Sequence, residues 1–353
     1  LTAWVGLIGV AVILGALSYA SAVFAPVIFA LFLIALSWPM QRWLQRRLPR
    51  LIALLISILV LFVTFFGFAS IIVWGFSRVG RWAVANMGLF QALYDQLTAG
   101  LEAHGIAVAG LWAEHFNVGL LFGVMQRVTG QLNTTLSFWV VVLVYVILGL
   151  LEVDKAGDRV RSLSNRSAIR MLIEGGAETA AKVRRYMAVR TLMSVLTGLL
   201  FWIFASLFDL PLAREWGVIA FALNYIPIIG PFTATLFPTV LAMVKFGSWE
   251  AMAVVFASLN GIQFLSGSYI EPRVSGTALA MSPFVVLFSI FLWTYLWGLS
   301  GTFLGVPIAF TILTLCAYHP STRWLTILFG SQAVKSHPSP IAADLRDDPA
   351  RRS

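Results

Sequence analysis

The sequence predicts an all-α, polytopic integral membrane protein with about eight hydrophobic segments, some of them broken or re-entrant, together with amphipathic external and cytoplasmic helices. Three observations carry this. Of 353 residues 59% are apolar and only 11% charged, with a mean hydropathy of +0.89, well outside the range of a soluble domain. The basic residues gather in a few loops. The stretch from Trp216 to Val244 has no charged residue, yet Asn224-Tyr225-Ile226-Pro227-Ile228-Ile229-Gly230-Pro231 breaks it near its centre. Each proline removes a backbone donor and crowds the preceding turn, and free backbone groups at membrane depth are tolerated only where protein or a polar cavity covers them. A broken apolar helix of this kind points to a transport site.

The N-terminal transmembrane segments occupy 1–77. Residues 1–41 are uncharged and long enough for two short crossings or a tilted hairpin around Pro26, and Leu51 to Ser77 forms a further uncharged run. Between them Arg42, Arg46, Arg47 and Arg50 mark a cytoplasmic loop. Region 78–127 is an external amphipathic segment. Phe76, Val79, Ala83, Met87, Phe90, Leu93, Leu97 and Leu101 recur at helical spacing, a break follows at His104-Gly105, and a second helix is expected near Leu111 to Val128. These helices extend the neighbouring spans or lie along the membrane face. A transmembrane segment fills 128–151, and 152–190 is a basic cytoplasmic helical segment, with nine Lys or Arg from Lys155 to Arg190. A transmembrane core with broken-helix motifs runs over 191–318, and 319–353 is a cytoplasmic tail, partly disordered by composition. Both termini are expected in the cytoplasm.

Catalytic signatures are missing. There is no Gly-rich loop ending in Lys-Ser/Thr, no nucleophile elbow and no His pair on a helix face, and Cys316 is the single cysteine. No cofactor, metal site or enzymatic activity is expected. The net charge of +9 reports membrane orientation and not a nucleic-acid surface, because it is spread over loops.

What remains is polarity inside the membrane. Asn260 and Gln263 lie on one face of the span that follows the break, as interhelical glue or as a pathway lining. Glu271 and Arg273 flank Pro272 at the membrane edge, either as an ion pair closing the inner mouth or as a solvated boundary pair. The helix end after Pro231 directs free N–H groups towards Thr233, suited to a small polyhydroxylated or anionic solute. Gly301 and Gly305 favour close helix contact, in a block that folds around Gly298 to Gly301.

Pro211, the Asn224 to Pro231 run, Glu271-Pro272-Arg273-Val274-Ser275-Gly276, Ser282-Pro283 and Trp297-Gly298-Leu299-Ser300-Gly301 through Val306-Pro307 together resemble the autoinducer-2 exporter family of bacterial permease-like proteins. The resemblance spans about Tyr186 to Tyr318. It implies an inner-membrane transporter that assembles as a homo-oligomer, a pentamer in one reading. Family functions range from autoinducer-2 efflux to sodium/proton exchange. Asn224, Tyr225, Pro227, Gly230 and Pro231 match the central motif, and Glu271, Pro272 and Gly276 the second.

The expectation is therefore a bacterial inner-membrane secondary transporter or facilitator exporting a small polar metabolite such as autoinducer-2. Its partners would be the lipid bilayer, the solute, Na+ or H+, and copies of itself. A sodium(lithium)/proton antiporter and a membrane scaffold without transport are the alternatives.

Overall fold

The computed structural model describes residues 2–103, 132–162, 169, 171–227, 229–275, 281–318 and 321–329. The expected break at His104-Gly105, the second external helix, Gly276, the four histidines and the tail beyond residue 329 lie outside them. The described part is almost wholly helical, and six of its helices are long and apolar enough to cross a membrane, or up to seven if a bent pair counts as one span. The chain is an all-α polytopic membrane protein.

Helices α1 (Thr2–Tyr19), α2 (Ser21–Gln45), α3 (Arg50–Ala85), α4 (Met87–Ala103) and α5 (Leu132–Arg161) form the first half. Pro49, with extended ψ 145°, ends the α2–α3 turn and starts α3, since its fixed φ and missing N–H are tolerated just ahead of a first helical turn. Ala30 of α2, Leu54 of α3, and Val142, Val146 and Leu150 of α5 make one buried core, and Arg50 donates to the Leu151 carbonyl at its basic end. The opposite side of α3 carries Leu51, Leu55, Leu59 and Val63 at four-residue spacing, each more than half exposed, a stripe suited to hydrocarbon and not to water. The helix runs without interruption to Ala85, so the first amphipathic helix begins as an extension of the span and breaks at Asn86, before α4.

The second half opens with a wide i→i+5 turn (Met171–Gly175) that leads into α6 (Gly176–Leu207), followed by α7 (Ala213–Leu223), α8 (Ile229–Phe246) and α9 (Trp249–Gln263). Gly247, at φ 61°, closes α8 in the left-handed conformation that suits glycine, and the Ser248 side chain accepts from Ala251 N to cap α9. A second wide segment, Phe264–Ile270, joins α9 to the short α10 (Glu271–Ser275); α11 (Pro283–Ala317) and α12 (Arg323–Phe329) complete the chain. Phe201, Ala205, Trp216, Ile219, Ala220, Ala234, Leu241, Val255 and Leu259 bind α6 to α9 into a second core.

Two hairpins of helix give this half its character. In the first, α7 and α8 fold back on each other after a turn at residues 224–227, and a Cβ on Gly230 would lie 1.8 Å from the Leu223 carbonyl oxygen. At 11 residues α7 rises only about 16 Å, short of the ~30 Å hydrocarbon core, so it enters and stops at depth. The second lies within α11, where Gly298 has φ 60° and ψ −136°. A Cβ on Gly301 would lie 1.8 Å from the Trp293 carbonyl oxygen, one on Gly305 would lie 3.0 Å from that of Ser289, and the Thr294 and Thr302 hydroxyls meet at 2.8 Å. Contacts between residues so far apart along one helix require its arms to run antiparallel. The close contact expected of Gly301 and Gly305, and the fold around Gly298, are present.

Candidate functional site

α6 is the axis to which the site attaches. Its neighbour α7 packs so closely that a Cβ on Gly198 would come within 2.7 Å of the Gly217 carbonyl oxygen, which places the backbones of the hairpin and of α6 in contact. The hairpin therefore follows α6 down to its tip. There Asn224 is buried and its Nδ2 donates to Ser194 Oγ at 3.3 Å, while Tyr225 Oη bonds to Thr191 Oγ1 at 3.0 Å. Thr191 and Ser194 lie about 20 Å along α6 from its end at Leu207. The tip is thus well inside the bundle.

The break itself is a compact turn. Ile226 N donates to Leu223 O at 2.9 Å, Ile229 N to Pro227 O at 2.8 Å and Gly230 N to Ile226 O at 3.0 Å, so local bonds satisfy much of the backbone that the two prolines disturb. Pro227 forms the turn, Gly230 admits the Leu223 carbonyl, and Pro231 stands in the first turn of α8, where its missing N–H costs nothing. Thr233 turns back to its own helix, bonding to the carbonyls of Ile229 and Gly230 at 2.9 and 3.0 Å.

One turn of helix from Ser194, and next to Thr191, is the main electrostatic feature. Arg190 is buried, and its Nη1 donates to both carboxylate oxygens of Glu271 at 3.0 and 3.1 Å. Of the two alternatives for Glu271 and Arg273, the mutual ion pair does not form. Residues two apart on a helix point to different sides, so Glu271 reaches α6 while Arg273 lies over the Tyr269 ring at 3.6 Å. Pro272 explains the local geometry. It cannot donate within a regular helix, and the wide turn before it lets Glu271 N bond back to Ser266 O, which re-aims the carboxylate. Gln263 and Asn260 behave differently from each other despite sharing a helix. Asn260 Nδ2 donates to Phe256 O at 2.8 Å on its own helix, whereas Gln263 Nε2 is buried without a partner.

The structure thus gathers Asn224, Tyr225 and Glu271 around α6, keeps Pro227, Gly230, Pro231 and Pro272 as the shapers of the two breaks, and leaves Thr233, Asn260 and Arg273 turned to local partners. Sequence reasoning missed Arg190, Thr191, Ser194 and the buried Thr197. Arg190 closes a run of cationic residues and reads as one more cytoplasmic charge. A signal was present in the three- and four-residue spacing of Tyr186, Arg190, Ser194 and Thr197 on one face. At the far end of the hairpin Arg78 Nε bonds to the buried Glu215 at 2.9 Å, and Lys245 holds Asp209 at 2.8 Å. Among the described residues no group of three or more His, Cys, Asp or Glu is placed to hold a metal ion.

An all-α bundle with two helix hairpins entering from its ends and polar side chains meeting at depth belongs to the class of membrane transporters. The profile described as AI-2E family transporter matches residues 4–319. The chain belongs to that family. It is 28% identical over 312 residues to the AI-2 transport protein TqsA of Escherichia coli (strain K12), covering 85% of this chain and 87% of that one. It is also 26% identical to YhhT of the same strain, over 84% of this chain and 85% of the relative. YrrI of Bacillus subtilis (strain 168) shares 26% identity over 84% of this chain and 86% of its own length. The latter two are provisionally named as transport proteins. The chain is a multi-pass bacterial membrane transporter.

Proposed function

We propose that this transporter exports a small polar metabolite of the autoinducer-2 kind across the bacterial inner membrane, with both termini in the cytoplasm. The observation that carries the reading is the broken apolar hairpin whose tip, Asn224 and Tyr225, hydrogen-bonds to α6 beside the Arg190–Glu271 pair. A tip held by two neutral hydrogen bonds, a buried one from Asn224 and an exposed one from Tyr225, can part from α6 at modest cost, about 1 kcal/mol per bond, which suits an element that opens and closes in each cycle. Arg190–Glu271 locks α6 to α10 at the basic end of the bundle, and Arg78–Glu215 clamps the hairpin at the other end. The likeness to the AI-2 transport protein TqsA supports the choice of cargo. The exposed apolar stripe of α3 faces lipid or a second copy in a homo-oligomer, for which a pentamer is the working expectation.

The test is flux of labelled autoinducer-2 in proteoliposomes, with sodium and pH gradients imposed separately. Gradient-dependent flux identifies a coupled exporter and its ion, and downhill flux alone identifies a facilitator. Pro227→Ala combined with Pro231→Ala is expected to abolish flux while the protein still inserts; unchanged flux removes the break from the mechanism. No flux of the wild type under any gradient sinks the cargo assignment.

A further inference from the structure

The helices α6 and α9–α10 run antiparallel. Glu271 meets Arg190 at one end, and Val255 and Leu259 share a buried core with Phe201 and Ala205 at the other. Moving up α6 from Arg190 is therefore moving back along α9 from Glu271. Thr197 and Gln263 each stand about 10 Å from the ion pair in that direction, so they lie at one depth on the two sides of the same seam.

Three polar atoms along this seam are buried without a hydrogen-bonding partner among the described residues: Arg190 Nε, Thr197 Oγ1 and Gln263 Nε2. Leaving such groups unpaired costs about 1–3 kcal/mol each, and more in a hydrocarbon surrounding. If their purpose were to bind α6 to α9, Thr197 and Gln263 would bond to each other, as Asn224 and Ser194 do nearby. They do not. A guanidinium N–H, an amide N–H and a hydroxyl are chiefly donors, so what completes them must supply acceptor oxygens.

Charge narrows the class. The carboxylate of Glu271 places both oxygens on Arg190 and cancels its charge, and the hairpin carries no ionisable side chain between Trp216 and Val244 other than Tyr225. An anion entering the seam would face Glu271, while Arg273 is turned away from α6 over the Tyr269 ring.

We propose that the α6–α9 seam binds an uncharged solute rich in hydroxyl or carbonyl oxygens through Arg190 Nε, Thr197 and Gln263, and that Glu271 bars anions from it. This rests on the transporter reading of the same site, and it adds the binding groups and the charge of the ligand.

Two measurements on the full chain test it. In the first, the melting temperature of the purified protein is followed with inorganic phosphate. Phosphate leaves the wild type unchanged, raises the melting temperature of Glu271→Gln, whose Arg190 is no longer neutralised, and has no effect once Arg190→Gln is added. Stabilisation of the wild type to the same extent, or none of Glu271→Gln, overturns the charge argument. In the second, flux of labelled autoinducer-2 is compared in Thr197→Val and Gln263→Leu, neither of which disturbs the ion pair. Each raises KM about tenfold with Vmax within about twofold, the signature of one lost ground-state hydrogen bond. An unchanged KM in both overturns the seam as the binding site. If the wild type moves no autoinducer-2 while the phosphate pattern holds, the cargo assignment falls and the charge argument stands.

Discussion

Arg190 and Glu271, 81 residues apart in the chain, meet through a single guanidinium nitrogen that donates to both carboxylate oxygens. With side-chain exposures of 8% and 25%, the pair is held largely out of water, and each member depends on the other for its charge to be tolerated.

Removing one member should accordingly be worse than removing both. Arg190→Ala is expected to lose roughly 2–4 kcal/mol because Glu271 is left half-covered and unpaired, whereas Arg190→Ala with Glu271→Ala should recover part of that loss. Thermal unfolding in detergent of the two single variants and the double variant gives the coupling. Additive effects would show that the pair contributes little.

The hairpin tips tolerate no side chain at two glycines. Gly230→Ala would drive a methyl to 1.8 Å from the Leu223 carbonyl oxygen and Gly301→Ala to the same distance from that of Trp293, both against backbone that cannot yield as a flexible side chain would. Each should cost about 3 kcal/mol or more and lower the yield of folded protein. Gly261→Ala, with open space around its Cβ position, is the tolerated control, and monodisperse yield on gel filtration is the measurement.

At the other end of the hairpin, Glu215 is buried while its partner Arg78 is half exposed. Arg78→Ala is expected to destabilise by about 1–2 kcal/mol, the exposed arginine being screened and the abandoned glutamate accounting for most of the loss. Glu215→Gln in the same background should restore stability. A melting temperature that falls further in the double variant would overturn this account.

The Asp209–Lys245 contact adds a pH dependence. The Lys245 hydrogen bond and charge hold the Asp209 carboxyl below its ordinary value. A depressed folded pKa means that the contact contributes fully above the ordinary carboxylate range and is lost as pH falls through the lowered value. Proteolysis of the 208–212 loop should be unaffected from neutral pH down to about pH 5 and accelerate only in stronger acid. In Lys245→Met it should already be fast at neutral pH.

The long apolar runs, the basic loops and the proline–glycine break were all legible as local patterns. Lengths of uncharged chain set the spans, and two prolines around a glycine disfavour an unbroken helix through Asn224 to Pro231. Gly298 to Gly301 was readable as a fold in the last block for the same kind of reason. The partner of Glu271 was not. A linear sequence offers the nearest cation, Arg273, and helix geometry turns that residue away. Nor could periodicity tell Asn260, bonded to its own helix, from Gln263, buried three residues later without a partner.

By itself the sequence determined an all-α membrane bundle with a broken span and its family, because hydrocarbon demands long apolar helices and two prolines around a glycine weaken their continuation at one defined place. Only the tertiary structure decided that α6 is the helix on which the site is built. Arg190, Thr191 and Ser194 acquire their roles from what α10 and the α7–α8 tip bring to them, and buried polar groups take their partners from packing across the bundle, whose register no single helix contains.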